Sequence, residues 1–79
     1  MRRVAVLGAA LARGAPVADI DEVVVLDPSP SALLGLMREV REPAWTFQLG
    51  ELPVLPLPDG YVDEVVGGDG GDEVRRVTR

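Results

Sequence analysis

Two carboxylates stand where a binding site would use them. Asp27 closes the apolar run Val23-Val-Val-Leu26 and is followed by Pro-Ser-Pro-Ser. Glu51 follows Gly50 and opens the stretch Leu52-Pro-Val-Leu-Pro-Leu-Pro-Asp-Gly60. A carboxylate at the C-terminal end of a parallel strand can accept hydrogen bonds from both hydroxyls of a ribose. Each residue also has a plain structural role. Asp27 before Pro-Ser-Pro suits the turn that starts a helix, and Glu51 suits a solvated loop. With no Cys and no His, the chain lacks thiolate nucleophiles, imidazole bases, disulfides and nearly every zinc-type site. A metal would have to be a hard ion on carboxylates, and none is expected. No catalytic residue is assigned. Gly67-Gly-Asp-Gly-Gly71 has the look of a phosphate loop. It lacks the Lys and the Gly-Lys-Ser/Thr ending, so phosphate binding is not expected.

These residues sit in a chain of 79 residues, enough for one small domain with a thin core. The apolar fraction of 47% is that of a globular protein. The net charge is −5, and the basic residues are all Arg. Such a field does not suit a phosphate backbone, so nucleic acid is excluded as a partner. Abundant Arg, Ala, Gly, Pro and Val without Lys fit a GC-rich bacterial genome. Arg2-Arg3 before the apolar run Val4–Ala12 has the outline of a signal peptide. The run is short, Arg13 ends it, and its removal would strip a strand from the chain. A cytoplasmic location is therefore expected. No apolar run approaches the ~20 residues of a membrane span, so no membrane role is expected.

The elements that would position the site follow from periodicity. Val4–Leu7, with Gly8 behind it, reads as a buried strand, and Ala9–Arg13 as a short helix broken by Gly14-Ala-Pro. Val23–Leu26 is apolar at consecutive positions, as for a parallel strand buried on both faces. Ser29 can cap a helix that begins at Pro30 and presents Leu33, Leu36, Met37 and Val40, widened by Leu34, with Pro43 stopping it. Arg38 and Arg41 suit its C-terminal end. Trp45, Phe47 and Leu49 alternate with Thr46 and Gln48 as in a half-buried edge strand. Prolines at 53, 56 and 58 bar the next stretch from a sheet interior. Leu55-Pro-Leu-Pro reads as a cover over the end of the sheet, Tyr61–Val66 as a fourth strand, and Asp63 with Glu64 as its solvated edge. Asp72–Arg79 fits a helix or an edge strand paired back onto Tyr61–Val66. The alternation of strands and helices predicts an α/β domain with a mainly parallel sheet.

Gly50-Glu51, then Leu55-Pro-Leu-Pro-Asp-Gly60, then Asp63 resembles the loop and fourth-strand start of class I S-adenosylmethionine-dependent methyltransferases. Val24-Val-Leu-Asp27-Pro-Ser-Pro-Ser-Ala-Leu33 is similar to that family's second strand and following helix, and Glu73-Val-Arg-Arg-Val77 to a later helix. The resemblance covers nearly all of the chain. It implies a Rossmann-like methyltransferase half-domain with strand order 3-2-1-4 and flanking helices. It implies S-adenosylmethionine as the cofactor. Gly8 would then lie in the loop beside it, Asp27 on its ribose, Glu51 on its adenine amino group, and the Leu52 N–H against the adenine ring. The family has Asp where Glu51 stands. Its glycine-rich first loop is reduced here to Gly8-Ala-Ala-Leu-Ala, so a Cβ at Ala10 would crowd a close-approach site. The Gly8–Asp27 interval is a residue or two short, and the helix after the fourth strand shrinks to Gly67–Gly71. The sequence ends where further strands would follow. The expected function is a non-catalytic, methyltransferase-like interaction domain that forms a homodimer or pairs with a larger subunit. The alternatives are a module that binds S-adenosylmethionine or another adenosine nucleoside, and an S-adenosylmethionine-dependent methyltransferase in which this chain holds the cofactor. An exposed fourth strand predicts a dimer interface through Tyr61–Val66 or Val74–Thr78.

Overall fold

Apolar residues at consecutive positions make the two central strands. Val4, Ala5 and Val6 are at most 2% exposed, and Val23–Leu26 at most 3%. Both faces of these strands are therefore covered, as parallel strands require. The computed structural model describes residues 1–14, 19–40, 43–68 and 71–79. In chain order the elements are β1 (Arg3–Leu7), α1 (Ala9–Gly14), β2 (Glu22–Asp27), α2 (Pro30–Glu39), β3 (Trp45–Leu49), β4 (Glu64–Val66) and α3 (Asp72–Val77). The sheet has four strands in the order β3-β2-β1-β4, and every pairing is parallel. The expected fold class and strand order are observed. Ala15 and Pro16 of the expected helix break, Arg41, and Asp69 and Gly70 of the glycine-rich turn lie outside the described residues.

Alternation along the strands divides the core in two. Val4, Val6, Val23 and Val25 face one way, onto Ala9 and Ala12 of α1 and Leu33 and Leu36 of α2. Ala5, Val24 and Leu26 face the other way, onto Leu55, Leu57, Val62 and Val77. The first face is covered by helices. The second is covered by the proline-rich loop and α3. The prolines keep the segment from becoming a strand, and its leucines bury the apolar face that would otherwise meet water.

Local chemistry sets the ends of these elements. The Ser29 hydroxyl accepts from the Ala32 N–H (3.2 Å), capping α2 with Pro30 at its first position. The expected apolar stripe on α2 is narrower than the sequence suggests. Leu33 and Leu36 are buried, whereas Leu34 and Met37 are each 48% exposed. α2 packs on β2 and β3, and Leu33 and Leu36 enter the core there while Leu34 and Met37 stay outside it. Trp45 and Phe47 pack against the helical core, but Leu49 at the end of β3 is 54% exposed. The fourth strand is also shorter than expected. Tyr61 belongs to a turn, its N–H bonded to Pro58 O (3.3 Å). Its hydroxyl donates to Glu22 (2.8 Å), which raises the phenol pKa because the neutral form is the donor.

The C-terminal segment is a helix followed by a strand-like end. Asp72 and Glu73 fall in the first turn of α3 and Arg75 and Arg76 in the last, the placement the helix dipole favours. Beyond it, Val62 N–H donates to Val77 O (3.0 Å) and Arg79 N–H donates to Val62 O (2.7 Å). This parallel bridge between Val62 and Thr78 starts a fifth strand position beside β4. Two positions of the segments expected to offer a dimer interface, Tyr61–Val66 or Val74–Thr78, are turned inward. Val62 and Val77 are 0% exposed, packed in this chain's own core, and have no surface left for a partner.

Candidate functional site

In an open parallel sheet, ligands bind beyond the C-terminal ends of the strands, where the connections diverge to opposite sides. This sheet has such a point at β1, with β2 on one side and β4 on the other. A cleft of about 300 Å³ opens there. Its walls come from the C-terminal end of every strand: Leu7 and Gly8 after β1, Leu26 and Pro28 at β2, Gly50, Glu51 and Leu52 after β3, and Gly68 after β4. The volume is near the lower end of ~300–1,000 Å³ typical of small-molecule sites. Gly8, Glu51 and Leu52, all singled out from sequence, line it together.

Gly8 makes the sharp exit from β1. Its φ is +119°, a region that L side chains rarely adopt. A Cβ built at Gly8 meets nothing within 4 Å among the described residues, so the backbone here faces open space. The Gly8 N–H donates to Leu26 O (2.7 Å), tying the turn to β2. Ala10, expected to crowd the loop, lies in α1 with its side chain exposed, outside the residues that line the cleft. The shortened glycine motif therefore leaves the cleft open.

Asp27 stands beside the cleft rather than in its wall. One carboxylate oxygen accepts from Ala9 N–H (3.0 Å), the other from Ser29 N–H (2.8 Å). The side chain thus joins the start of α1 to the turn before α2. This is the structural role that the Asp-Pro-Ser-Pro pattern suggested, with the bond to Ala9 added from the neighbouring connection. A carboxylate offers about four lone-pair sites, so each oxygen can accept once more, as two ribose hydroxyls would require.

The opposite wall is the loop after β3. Gly50 N–H donates to Asp27 O (3.2 Å), and Gln48 Nε2 donates to Pro56 O (3.3 Å). Pro56 folds onto Gly50 so closely that a Cβ there would lie 2.6 Å from its Cδ. Glu51 pairs with Val54 across a tight antiparallel bridge, which turns Glu51 outward and leaves Leu52 half-buried against the cleft. The far end is fastened to α3. Glu73 accepts from Leu55 N–H (2.6 Å) and from two nitrogens of Arg76 (2.7 Å each), and Arg76 also reaches Asp59 (2.7 Å) and Leu55 O (2.9 Å). Arg76 and the Leu55 amide hold the Glu73 carboxyl at a pKa of about 2, well below its ordinary 4.5. The sequence left this segment open between helix and edge strand and gave no sign of this network, which joins residues 18 positions apart.

Among the described residues that line the cleft, Glu51 is the one ionisable side chain and none is Arg. Such a site suits a flat, partly apolar group with hydrogen-bonding edges and offers no cation for a phosphate. Among the described residues no group of acidic side chains could hold a metal ion, and no helix is long and apolar enough to cross a membrane.

No protein-family model matches this chain, and no curated protein matches it. A solved structure does. It is a chain of the complex between the Trm112 methyltransferase activator of Haloferax volcanii and a candidate methyltransferase, 26% identical with a TM-score of 0.70. The match covers 81% of this chain and 30% of that one, so this chain spans about a third of its solved neighbour. The fold is a small Rossmann-like parallel sheet related to those of methyltransferase complexes.

Proposed function

We propose that this chain is a non-catalytic, nucleoside-holding module of a methyltransferase-related assembly that acts together with a larger methyltransferase subunit. The cleft carries this reading. It brings Gly8, Glu51 and Leu52 together at the point where a parallel sheet binds nucleosides, with Asp27 beside them and no cation for phosphate among the described lining residues. S-adenosylmethionine, or its demethylated product, is the cofactor this arrangement fits. Glu51 would accept from the adenine amino group, Leu52 would offer its N–H to the ring, and Asp27 would take the ribose hydroxyls with its remaining lone pairs. Methyl transfer needs a second pocket over the sulfonium for the acceptor, and the larger subunit would supply it. The solved neighbour sits in a complex of two proteins, which favours a paired role.

Calorimetric titration with S-adenosylmethionine and S-adenosylhomocysteine tests the reading, with ATP as the phosphate-bearing control. Weak saturable binding of the first two and none of ATP is expected. Absence of heat with either nucleoside at millimolar concentration refutes it.

A second reading, self-association of two copies, is favoured by the edge position of β4. Val62 turns its N–H and C=O to the segment after α3. By strand alternation, Glu64 and Val66 present theirs on the same outer side, and a row of outward backbone groups invites pairing. Light scattering over a concentration series decides it. A monomer at the highest concentration removes the dimer.

A further inference from the structure

Glu51–Val54, whose first two residues line the cleft, is a short tongue held at two ends. At one end Gly50 is bonded to Asp27 O and packed under the Pro56 ring. At the other, both backbone groups of Leu55 are taken by α3, the N–H by Glu73 (2.6 Å) and the C=O by Arg76 (2.9 Å). Neither Glu73 nor Arg76 lines the cleft. Glu73 has 17% of its side-chain surface exposed and Arg76 34%, so the pair is partly shielded from water. Charged hydrogen bonds of this length are stronger than neutral ones, and the guanidinium fork fixes direction as well as distance.

We propose that Glu73 and Arg76 are positioning residues for the cleft, holding Glu51 and Leu52 at the distance a bound nucleoside needs. The ligand in this statement rests on the proposed function, whereas the clamp itself rests on the contacts above. Arg76 serves three partners at once, Glu73, Asp59 and Leu55 O. It therefore joins both ends of the 55–59 loop segment to α3. Without it Glu73 would keep the Leu55 N–H but lose its own orientation, and the tongue would have one firm anchor in place of two. The clamp makes the cleft's shape depend on a helix that the ligand does not touch.

Arg76→Gln and Arg76→Lys in the full chain test this. Lysine keeps the charge but cannot bridge the three partners, so both variants should behave alike. Amide exchange at Val54 and Leu55 should quicken about tenfold relative to Val24 and Val25, and the backbone amide signals of Glu51 and Leu52 should shift. Affinity for S-adenosylhomocysteine should fall about tenfold, with β2 exchange unchanged. Val23→Ala, which weakens the opposite core, serves as the control and should leave the Glu51 and Leu52 signals and the affinity at parent values. If Arg76→Gln fails to fold, Arg76→Lys and Glu73→Gln carry the test. Parent-like protection at Leu55 with unmoved Glu51 and Leu52 signals overturns the proposal. So does a loosened tongue with parent-like affinity. If the parent binds no nucleoside, the proposed function falls, and exchange at Leu55 with the signals of Glu51 and Leu52 still decides the clamp.

Discussion

Gly50→Ala isolates the packing of the loop against the sheet. A Cβ at this position would lie 2.6 Å from Pro56 Cδ, 2.9 Å from Pro56 Cγ and 3.2 Å from Leu26 Cδ2. The first two distances are shorter than side-chain carbons tolerate. The obstacle is a rigid ring whose carbonyl is held by Gln48 (3.3 Å) and whose neighbour Leu55 is clamped by Glu73. Neither side can retreat freely, so strain of about 1–3 kcal/mol follows, as for other overpacked sites. Alanine also lowers the entropy of the unfolded chain, which returns about 0.4–1 kcal/mol. The net loss centres on about 1.3 kcal/mol, within a span of about 0–2.6 kcal/mol, and the central value is a fall of roughly 5–10 °C in Tm for a domain of this size. Urea unfolding of Gly50→Ala, Pro56→Ala and the double variant measures it. If the ring is the obstacle, Gly50→Ala is costly alone and nearly neutral in the Pro56→Ala background. Equal costs in both backgrounds would refute the clash, and a parent-like Gly50→Ala would refute the close approach itself.

Leu55→Ala should cost about 2–5 kcal/mol in urea unfolding, because this side chain is 2% exposed in the core that covers β1 and β2. Asp27→Ala removes the acceptor of two backbone N–H groups and should cost about 1–3 kcal/mol while abolishing nucleoside binding. Undiminished binding in calorimetry would take Asp27 out of the site. Glu73 has a folded-state pKa of about 2 against an ordinary 4.5. Its contribution to stability is therefore present above about 4.5 and lost as the pH falls through about 2. Acid titration followed by circular dichroism should show this loss, and Arg76→Gln should move it to higher pH.

Parts of this architecture could be read from the sequence because their signals are local. Val23–Leu26 shows its burial in four adjacent apolar residues, and Ser29-Pro30 marks the start of α2 within two positions. The strand order came from a family resemblance, since no short-range signal encodes it. The width of the α2 stripe was overestimated because helical periodicity shows which residues share a face but not how much sheet lies beneath. Leu34 and Met37 share the face and stay outside the core. Asp72–Thr78 remained ambiguous because its valines suit either state. The helix gains from acidic residues at its start, arginines at its end, and bonds from Glu73 to a loop 18 positions away. In the cleft, Gly8, Glu51 and Leu52 were identified singly, and the topology brings them together. The bond from Asp27 to Ala9 joins two separate connections and has no local signature.

The division of the core between helices on one face and the proline-rich loop on the other also bears on synthesis. The first three strands and the two crossovers that join them lie within the first 49 residues. They can assemble, with one face covered, while the rest of the chain is still being made. The other face, Ala5, Val24 and Leu26, must wait for Leu55, Leu57, Val62 and Val77. β1 likewise waits for a partner some 60 residues later, when Asp63 N–H reaches Arg3 O (2.8 Å). A ribosome making this chain therefore exposes a half-finished apolar sheet until Val77 has emerged. During that interval the chain is most vulnerable to aggregation and most open to a chaperone.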